Sequence, residues 1–328
     1  MKTILVTGVA GFIGHALAKS LLRAGYFVIG VDNLCGDLEV HDIKDIRISE
    51  LIKEESFVFY KNDITEDLSF LNSYNFELIV HLAAHAGVRQ SMNEPKEYIQ
   101  TNITGFVNVL EYAHKRSVKR LIYASSSSIY GNHNTPQMNF MESDISEFPE
   151  SVYAMTKKSN EMLAYIYSKT YNIQTIGLRF FSVYGPYGRP DMAPWLFAKS
   201  LMDGVKPTLF NSGDMYRDFT FIDDVVASIR AIIDSNGYLK KYQVYNIGAS
   251  SPHSVLELFE TIRDTLGVSG SFINVDAPQG DVNFTSANMS LFRKTFDVAE
   301  FLDFKTGILK FCEWFKEYYF KQGHTANK

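Results

Sequence analysis

The stretch Thr7-Gly8-Val9-Ala10-Gly11-Phe12-Ile13-Gly14 constrains this chain more than any other. It follows the apolar run Thr3-Ile4-Leu5-Val6 and leads into an amphipathic segment reaching about Arg23. Glycines at the joint between a strand and a helix allow a tight turn, close backbone approach to a pyrophosphate, and close packing of helix on strand. The helix start, with Phe12 and Ile13 in its first turn, then offers unpaired N–H groups to phosphate oxygens. A second strand, Phe27-Val28-Ile29-Gly30-Val31, ends in Asp32-Asn33, with Asp32 24 residues after Gly8. A carboxylate there accepts hydrogen bonds from a ribose diol and repels a 2′-phosphate. No arginine lies between it and Arg47, so NAD is expected as cofactor rather than NADP.

Further strands repeat the pattern. Phe57-Val58-Phe59-Tyr60 leads to Asn62-Asp63-Ile64, a wall for the adenine, and Glu77–His81 runs into Leu82-Ala83-Ala84-His85-Ala86-Gly87. Small residues at a strand's C-terminal end let a cofactor lie close against the sheet. A helix of about twenty residues is expected from Pro95, with the stripe Ile99, Ile103, Phe106, Val107 and Leu110. Asn102 beside that stripe calls for a specific hydrogen-bond partner. A fifth strand, Arg120–Ala124, opens into Ser125-Ser126-Ser127-Ser128, hydroxyls suited to a sugar alcohol, then Ile129-Tyr130-Gly131. Strands alternating with helices mean right-handed βαβ units and a parallel sheet. The expected fold is therefore α/β, a Rossmann-type doubly wound sheet over residues 1–179, with 216–248 rejoining it. Residues 180–215 and 249–328 are expected to form a smaller, mostly helical lobe.

A hydrophobic share of 46% with 21% charged residues suits a sizeable core. The net charge of −5, with no basic block, argues against nucleic acid and an anionic membrane surface as partners. No apolar run reaches membrane-spanning length, and the chain enters a strand at once rather than a signal peptide. Cys35 and Cys312 form neither a metal spacing nor a disulfide framework, which fits a reducing, cytoplasmic setting. His81 and His85 lack a third ligand and read as packed structural residues; no metal is expected.

Within an amphipathic run beginning near Ser151 stand Tyr153 and Lys157. Four-residue spacing puts the phenol and the ammonium on one helix face. A neighbouring cation favours the phenolate and so lowers the tyrosine pKa from its usual value of about 10. Four arginines, Arg89, Arg179, Arg189 and Arg217, fall in loops or at strand ends near the inferred crevice. Their planar forks suit carboxylate and phosphate groups. Arg179 reads as a loop anchor, the others as ligand contacts. The aromatics Phe311, Trp314, Phe315, Tyr318 and Tyr319 read as a helix packing face.

Taken together, Thr7–Gly14, Asp32, His81–Ala84, the serine run with Tyr130-Gly131, and Tyr153 with Lys157 resemble the extended short-chain dehydrogenase/reductase family. Within it, Ala86–Arg89, Tyr123–Gly131, Leu178–Pro186, Gly188–Ala193 and Arg217–Asp224 are most similar to the UDP-glucuronate 4-epimerases. The resemblance runs to about residue 285. It implies a catalytic set of Ser126, Tyr153 and Lys157, with Lys157 also holding the nicotinamide ribose. It implies further that Arg217 binds a nucleotide diphosphate and that Arg189 stands near a uronate carboxylate. Arg89, Ser127, Ser128, Ser182 and Asp281 complete the implied substrate contacts. Ser182 stands where a threonine is commoner. Gln279-Gly280-Asp281 and Ala287-Asn288 depart from the family's usual Arg-Gly-Asp and Ala-Asp.

The implied activity is conversion of UDP-glucuronate to UDP-galacturonate through a 4-keto sugar, by a cytoplasmic homodimer pairing helices 95–116 and 152–171. Related dehydratases and decarboxylases usually carry acidic residues just after the catalytic hydroxyl; Ser127 and Ser128 stand there instead, and without an acid a departing hydroxyl is hard to protonate. The alternatives are a 4-epimerase for UDP-glucose or an N-acetylated UDP-sugar or uronate, and, of another class, a non-catalytic NAD-binding sensor.

Overall fold

The computed structural model describes residues 2–36, 41–131, 139–144, 147–235, 237, 239–276 and 282–323. The first half contains β1 (Thr3–Thr7), α1 (Phe12–Arg23), β2 (Phe27–Asp32), α2 (His41–Leu51), β3 (Phe57–Lys61), β4 (Leu78–His81), α3 (Val88–Asn93), α4 (Pro95–Ile99), α5 (Phe106–Lys115), β5 (Arg120–Ser126), α6 (Val152–Tyr171) and β6 (Gln174–Phe180). The second half adds β7 (Ser182–Tyr184), α7 (Ala193–Met202), β8 (Thr208–Phe210), β9 (Tyr216–Phe221), α8 (Ile222–Asp234), β10 (Tyr242–Ile247), β11 (Pro252–Ser254), α9 (Val255–Leu266), β12 (Ile273–Val275), α10 (Ser290–Thr295) and α11 (Phe304–Lys321).

Seven strands form one parallel sheet in the order β10-β6-β5-β4-β1-β2-β3. Because side chains alternate along a strand, Ile4 and Val6 of β1 enter one core cluster and Leu5 the other. Both faces are buried, as the apolar runs in the sequence require of a parallel sheet. The order reverses at β1, where the chain leaves for β2 on one side and returns as β4 on the other. The crevice at the strands' C-terminal ends of such a switch point is where ligands bind in open α/β sheets.

Only part of segment 216–248 rejoins this sheet. β10 pairs with β6, whereas β9 lies in a small sheet between β7 and β11. The edge of β6 has room for one strand, and β10 takes it, burying Val244, Tyr245 and Ile247. The C-terminal part thus carries two small sheets, β11-β9-β7 and β12-β8, besides its helices. Its core is continuous with one face of the main sheet through Trp195, Phe259, Phe311 and Phe315. As expected, Phe311, Phe315 and Tyr319 of α11 are buried, and Trp314 and Tyr318 pack against them.

The long helix expected from Pro95 is interrupted. A π-helical turn over Gln100–Gly105 joins α4 to α5. Its wider turn rotates the inward face, so Asn102, Gly105, Phe106 and Val109 are buried while Ile99 is exposed. Helix α6 starts cleanly because the Ser151 hydroxyl accepts from the Ala154 N–H at 3.1 Å. It stops at Asn172 in the left-handed region.

Candidate active site

Gly8 adopts φ +72° where β1 turns toward α1. A Cβ at Gly8 would lie 2.5 Å from the Ala83 nitrogen, and one at Gly14 2.1 Å from the Gly8 carbonyl oxygen. The ends of β1 and β4 therefore touch backbone to backbone, bringing Leu82, Ala83 and Ala84 to the crevice beside the turn. Helix α1 begins at Gly11 with no side-chain cap and no acidic residue in its first turn, the arrangement an anionic group favours. Asp32 is buried at the end of β2. Its carboxylate accepts from the Ala10 N–H at 3.0 Å and the Leu34 N–H at 2.8 Å, and Lys44 Nζ lies 3.5 Å away. Asn33 donates to Asp63 at 2.7 Å. Burial would raise the Asp63 carboxyl, but hydrogen bonds from Thr65 and Asn33 outweigh it and hold the group below the usual carboxylate range. Ile64 is buried against Gly105, whose missing side chain leaves it room. This cradle fits a dinucleotide: glycines with no space for a side chain, an uncapped helix start, and a carboxylate at the end of the second strand.

On the other side of the switch point, Ser126 ends β5. Its hydroxyl donates to Ser128 Oγ and accepts from the Ser128 N–H, both at 3.1 Å, at the start of a one-turn helix over Ser127–Tyr130. Tyr153 comes from the first turn of α6, and its phenol lies beside Ser126, whose hydroxyl favours the phenolate. Burial raises the Tyr153 pKa; the Ser126 hydroxyl and the charge of Arg189 work against that rise. The sequence pointed to Lys157 as the cation that eases ionisation. In the structure Lys157 donates to the Ala124 carbonyl at 3.0 Å while its ammonium sits 5.9 Å from the centre of the Tyr153 ring. Burial lowers the Lys157 pKa to about 8. Four-residue spacing placed the pair on one face but could not say where a flexible ammonium would point.

Asn102 finds the partners its position called for. Its side chain accepts from the His85 N–H at 2.8 Å and donates to the His85 carbonyl at 2.9 Å and Thr156 Oγ1 at 3.1 Å. Asn160 then donates to the Asn102 carbonyl at 2.6 Å. The π turn, the loop after β4 and α6 are thereby tied together next to Tyr153. His81 accepts or donates to the Thr7 hydroxyl at 2.8 Å and stacks on Phe106. Burial and the Lys157 charge lower its pKa to about 3, so it is a neutral structural ring.

Arg189 makes a bidentate pair with Asp191, at 3.0 and 2.6 Å. Arg217, on β9, donates to the Tyr216 carbonyl at 3.0 Å and faces His253 across the sheet. Ser182 begins β7 in register with Phe219. Arg89 is exposed, its guanidinium 4.5 Å from the centre of the Phe210 ring. Asp281, with Gln279 and Gly280, lies outside the described residues. Arg179 is an anchor, as expected. It pairs with Glu161 through two contacts of 2.8 Å and donates to the Tyr130 hydroxyl and the Glu142 carbonyl.

Several residues escaped the sequence reading. Asp218 is a buried carboxylate that accepts from the Ala249, Ser250 and Ala287 N–H groups at 2.7–3.0 Å, closing the loops behind Arg217. Its only signal was membership of the Arg217–Asp224 stretch. Asp191 had the same kind of signal, membership of the Gly188–Ala193 stretch, and Glu161 had none, since a carboxylate on a helix normally faces water.

The switch-point crevice, the glycine turn and the Ser126–Tyr153–Lys157 group define an NAD-dependent enzyme of the extended short-chain dehydrogenase/reductase class. A model of the NAD dependent epimerase/dehydratase family matches residues 4–248. The chain belongs to that family, and NAD is its cofactor. The protein CapI of Staphylococcus aureus is 41% identical over 97% of this chain and 99% of its own. UDP-glucuronate 4-epimerase 4 of Arabidopsis thaliana is 38% identical, over 97% of this chain and 76% of its own. Among solved structures, the UDP-glucuronic acid 4-epimerase of Bacillus cereus in complex with UDP-glucuronic acid and NAD is 30% identical. It superposes with a TM-score of 0.90, covering 97% of this chain and 100% of that one. The UDP-glucose 4-epimerase of Thermotoga maritima with UDP-glucose is 27% identical with a TM-score of 0.86, over 96% and 99%. Among the described residues no helix is long and apolar enough to cross a membrane.

Proposed function

We propose that this protein is an NAD-dependent UDP-sugar 4-epimerase whose substrate is UDP-glucuronate and whose product is UDP-galacturonate. The observation that carries the reading is the Tyr153 phenol, beside Ser126 at the end of β5 and with the Lys157 ammonium 5.9 Å from its ring centre, next to a glycine turn shaped for a dinucleotide. Tyr153, as phenolate, takes the proton of the sugar 4-hydroxyl while Ser126 orients that hydroxyl. Bound NAD supplies the acceptor and donor of the C4 hydride, which makes a 4-keto sugar reachable without net redox change. The keto sugar turns about its diphosphate linkage before Tyr153 returns the proton. Lys157 holds its charge between the Ala124 carbonyl and the phenol, where it steadies the anionic tyrosine.

A 4-keto uronate is a β-keto acid and loses carbon dioxide unless its carboxylate is restrained. Arg189, with the hydroxyls of Ser127, Ser128 and Ser182, is suited to that task; Arg217 and Arg89 are suited to the diphosphate, and Asp281 to the nucleotide end. Residues 1–179 with β10 carry the cofactor, and 180–215 with 249–328 the UDP-sugar. Exposed Ile99 on α4, and Met162, Tyr165 and Ile166 on α6, are apolar enough for a homodimer pairing these helices. The setting we propose is the cytoplasm.

One observation favours a second substrate. Asp191 already neutralises Arg189, so a neutral sugar such as that of UDP-glucose would not leave the cation unpaired. Anomeric-proton NMR of UDP-glucuronate, UDP-glucose and UDP-N-acetylglucosamine incubated with the enzyme separates the readings. New UDP-galacturonate signals are expected; turnover confined to the neutral sugars would overturn the uronate assignment.

A further inference from the structure

Arg47, on α2, has none of its surface exposed. Its Nη1 donates to the Ala10 carbonyl at 2.8 Å, inside the glycine turn. Its Nη2 donates to the carbonyls of Tyr187 at 2.6 Å and Gly188 at 3.4 Å, on the loop that leads directly into Arg189. One guanidinium therefore touches both the turn that cradles the cofactor and the loop that presents the carboxylate-binding arginine. Burying a full charge is unfavourable unless good acceptors take its N–H groups, and an apolar side chain could occupy the same space. What an apolar side chain could not do is join the two loops.

The loop needs such a restraint. Tyr187 adopts φ +61°, a left-handed conformation uncommon for a bulky residue. Its hydroxyl donates to Glu50, which also takes Lys19 Nζ at 2.8 Å and lies 3.3 Å from the His15 ring. Hydrogen bonds from His15, Lys19 and Tyr187 overcome burial and hold the Glu50 carboxyl well below the usual range. Helices α1 and α2, which flank the cofactor turn, thus grip both the backbone and the ring of Tyr187. Ala10 is fixed from its other side, where its N–H donates to Asp32.

We propose that Arg47 is a positioning residue that couples the cofactor turn to the Arg189 loop, so that NAD and the sugar carboxylate each strengthen the hold on the other. The inference rests on the uronate reading above. Phosphates at the start of α1 order the turn and with it the direction of the Ala10 carbonyl. The planar fork of Arg47 is then set, and the carbonyls of Tyr187 and Gly188 with it. Arg189 meets the carboxylate with less left to order. Such coupling is reciprocal, so the substrate must retard loss of the cofactor.

The test uses the holoenzyme. NAD release after gel filtration is timed with and without saturating UDP-glucuronate, alongside KM for UDP-glucuronate and the inhibition constant of UDP alone. In the native enzyme UDP-glucuronate should slow NAD release by about 5-fold or more, the lower end of usual coupling. Arg47→Lys keeps the charge but loses the fork that spans both loops. It should cut the slowing to under about 2-fold and raise KM for UDP-glucuronate by roughly 10-fold, with the UDP constant unchanged within about 2-fold. A merely structural residue would weaken UDP and UDP-glucuronate alike. Should Arg47→Lys fail to fold, Tyr187→Phe loosens the same loop from Glu50 and should reduce the slowing by about half. Full slowing in either folded variant, or none in the native enzyme, overturns the coupling. Absence of UDP-glucuronate turnover by a native enzyme that epimerises UDP-glucose is the separate result that removes the substrate reading and the carboxylate end of the coupling together.

Discussion

Tyr153 sits in competing fields. Burial pushes its ionisation up, while the Ser126 hydroxyl and the Arg189 charge pull it back. Removing the phenol hydroxyl takes away the proposed base. Tyr153→Phe is therefore expected to lower kcat by about 10²–10⁴-fold with NAD still bound, measured as epimer formation by NMR. The ascending limb of the pH profile reports the phenolate, so kcat/KM should rise with pH as Tyr153 ionises. Arg189→Gln removes a charge that eases ionisation and should move that limb to higher pH, a shift read with UDP-glucose so that the lost carboxylate contact does not interfere. His81 gives a stability signature. Its pKa in the folded protein, about 3, lies below the ordinary histidine value of about 6.5, so the unfolded chain binds the extra proton between them. Stability is then lost as pH falls from about 6.5 toward 3, on the order of 5 kcal/mol in all. Denaturant titrations across that range should show the loss in native protein and a smaller one in His81→Gln.

At the scale of elements, α6 is the part that must be held in register. Three devices act on its inward face: the Ser151 cap, the Lys157–Ala124 hydrogen bond, and the Glu161–Arg179 pair, whose Glu161 also accepts from the Ser125 hydroxyl at 2.6 Å. Ser125 immediately precedes Ser126, so the buried pair ties the helix carrying Tyr153 to the strand carrying Ser126. Glu161→Gln leaves Arg179 charged and short of its counter-ion, and should cost about 3–5 kcal/mol in urea unfolding. Replacing both partners by methionine should cost less, because no charge then remains buried. Across this helix the Asn102 side chain satisfies both backbone groups of His85, a use for the π turn that a regular helix at that position would not offer.

On the scale of the molecule, the strand order opens a crevice at β1 and β4, and the continuous core fixes the C-terminal elements against it. The exposed apolar side chains on α4 and α6 lie on the helices that the proposed homodimer would pair. Ile166→Glu should therefore convert a dimer to a monomer in light scattering while leaving far-UV circular dichroism unchanged; a native monomer would remove the dimer from the proposal.

Much of this protein was readable from residue order. Glycines at 8, 11 and 14, Asp32, and the alternation of apolar strands with amphipathic helices pointed to the parallel sheet and its cofactor end, because turn chemistry and element period are written in neighbouring residues. The shared helix face of Tyr153 and Lys157 was readable from their spacing, whereas the role expected of Ser126 came from the resemblance alone. Tertiary structure alone decided where the charges point. Lys157 took a carbonyl 33 residues away while staying 5.9 Å from the Tyr153 ring centre, the Arg189 charge was brought to bear on the same phenol, and β10 rather than β9 took the edge of the main sheet. Arg47, which in the sequence merely bounded a stretch without arginines, became the bond between glycine turn and Arg189 loop. Long flexible cations choose partners by the space and carbonyls that distant segments leave them, and no spacing along the chain records that choice.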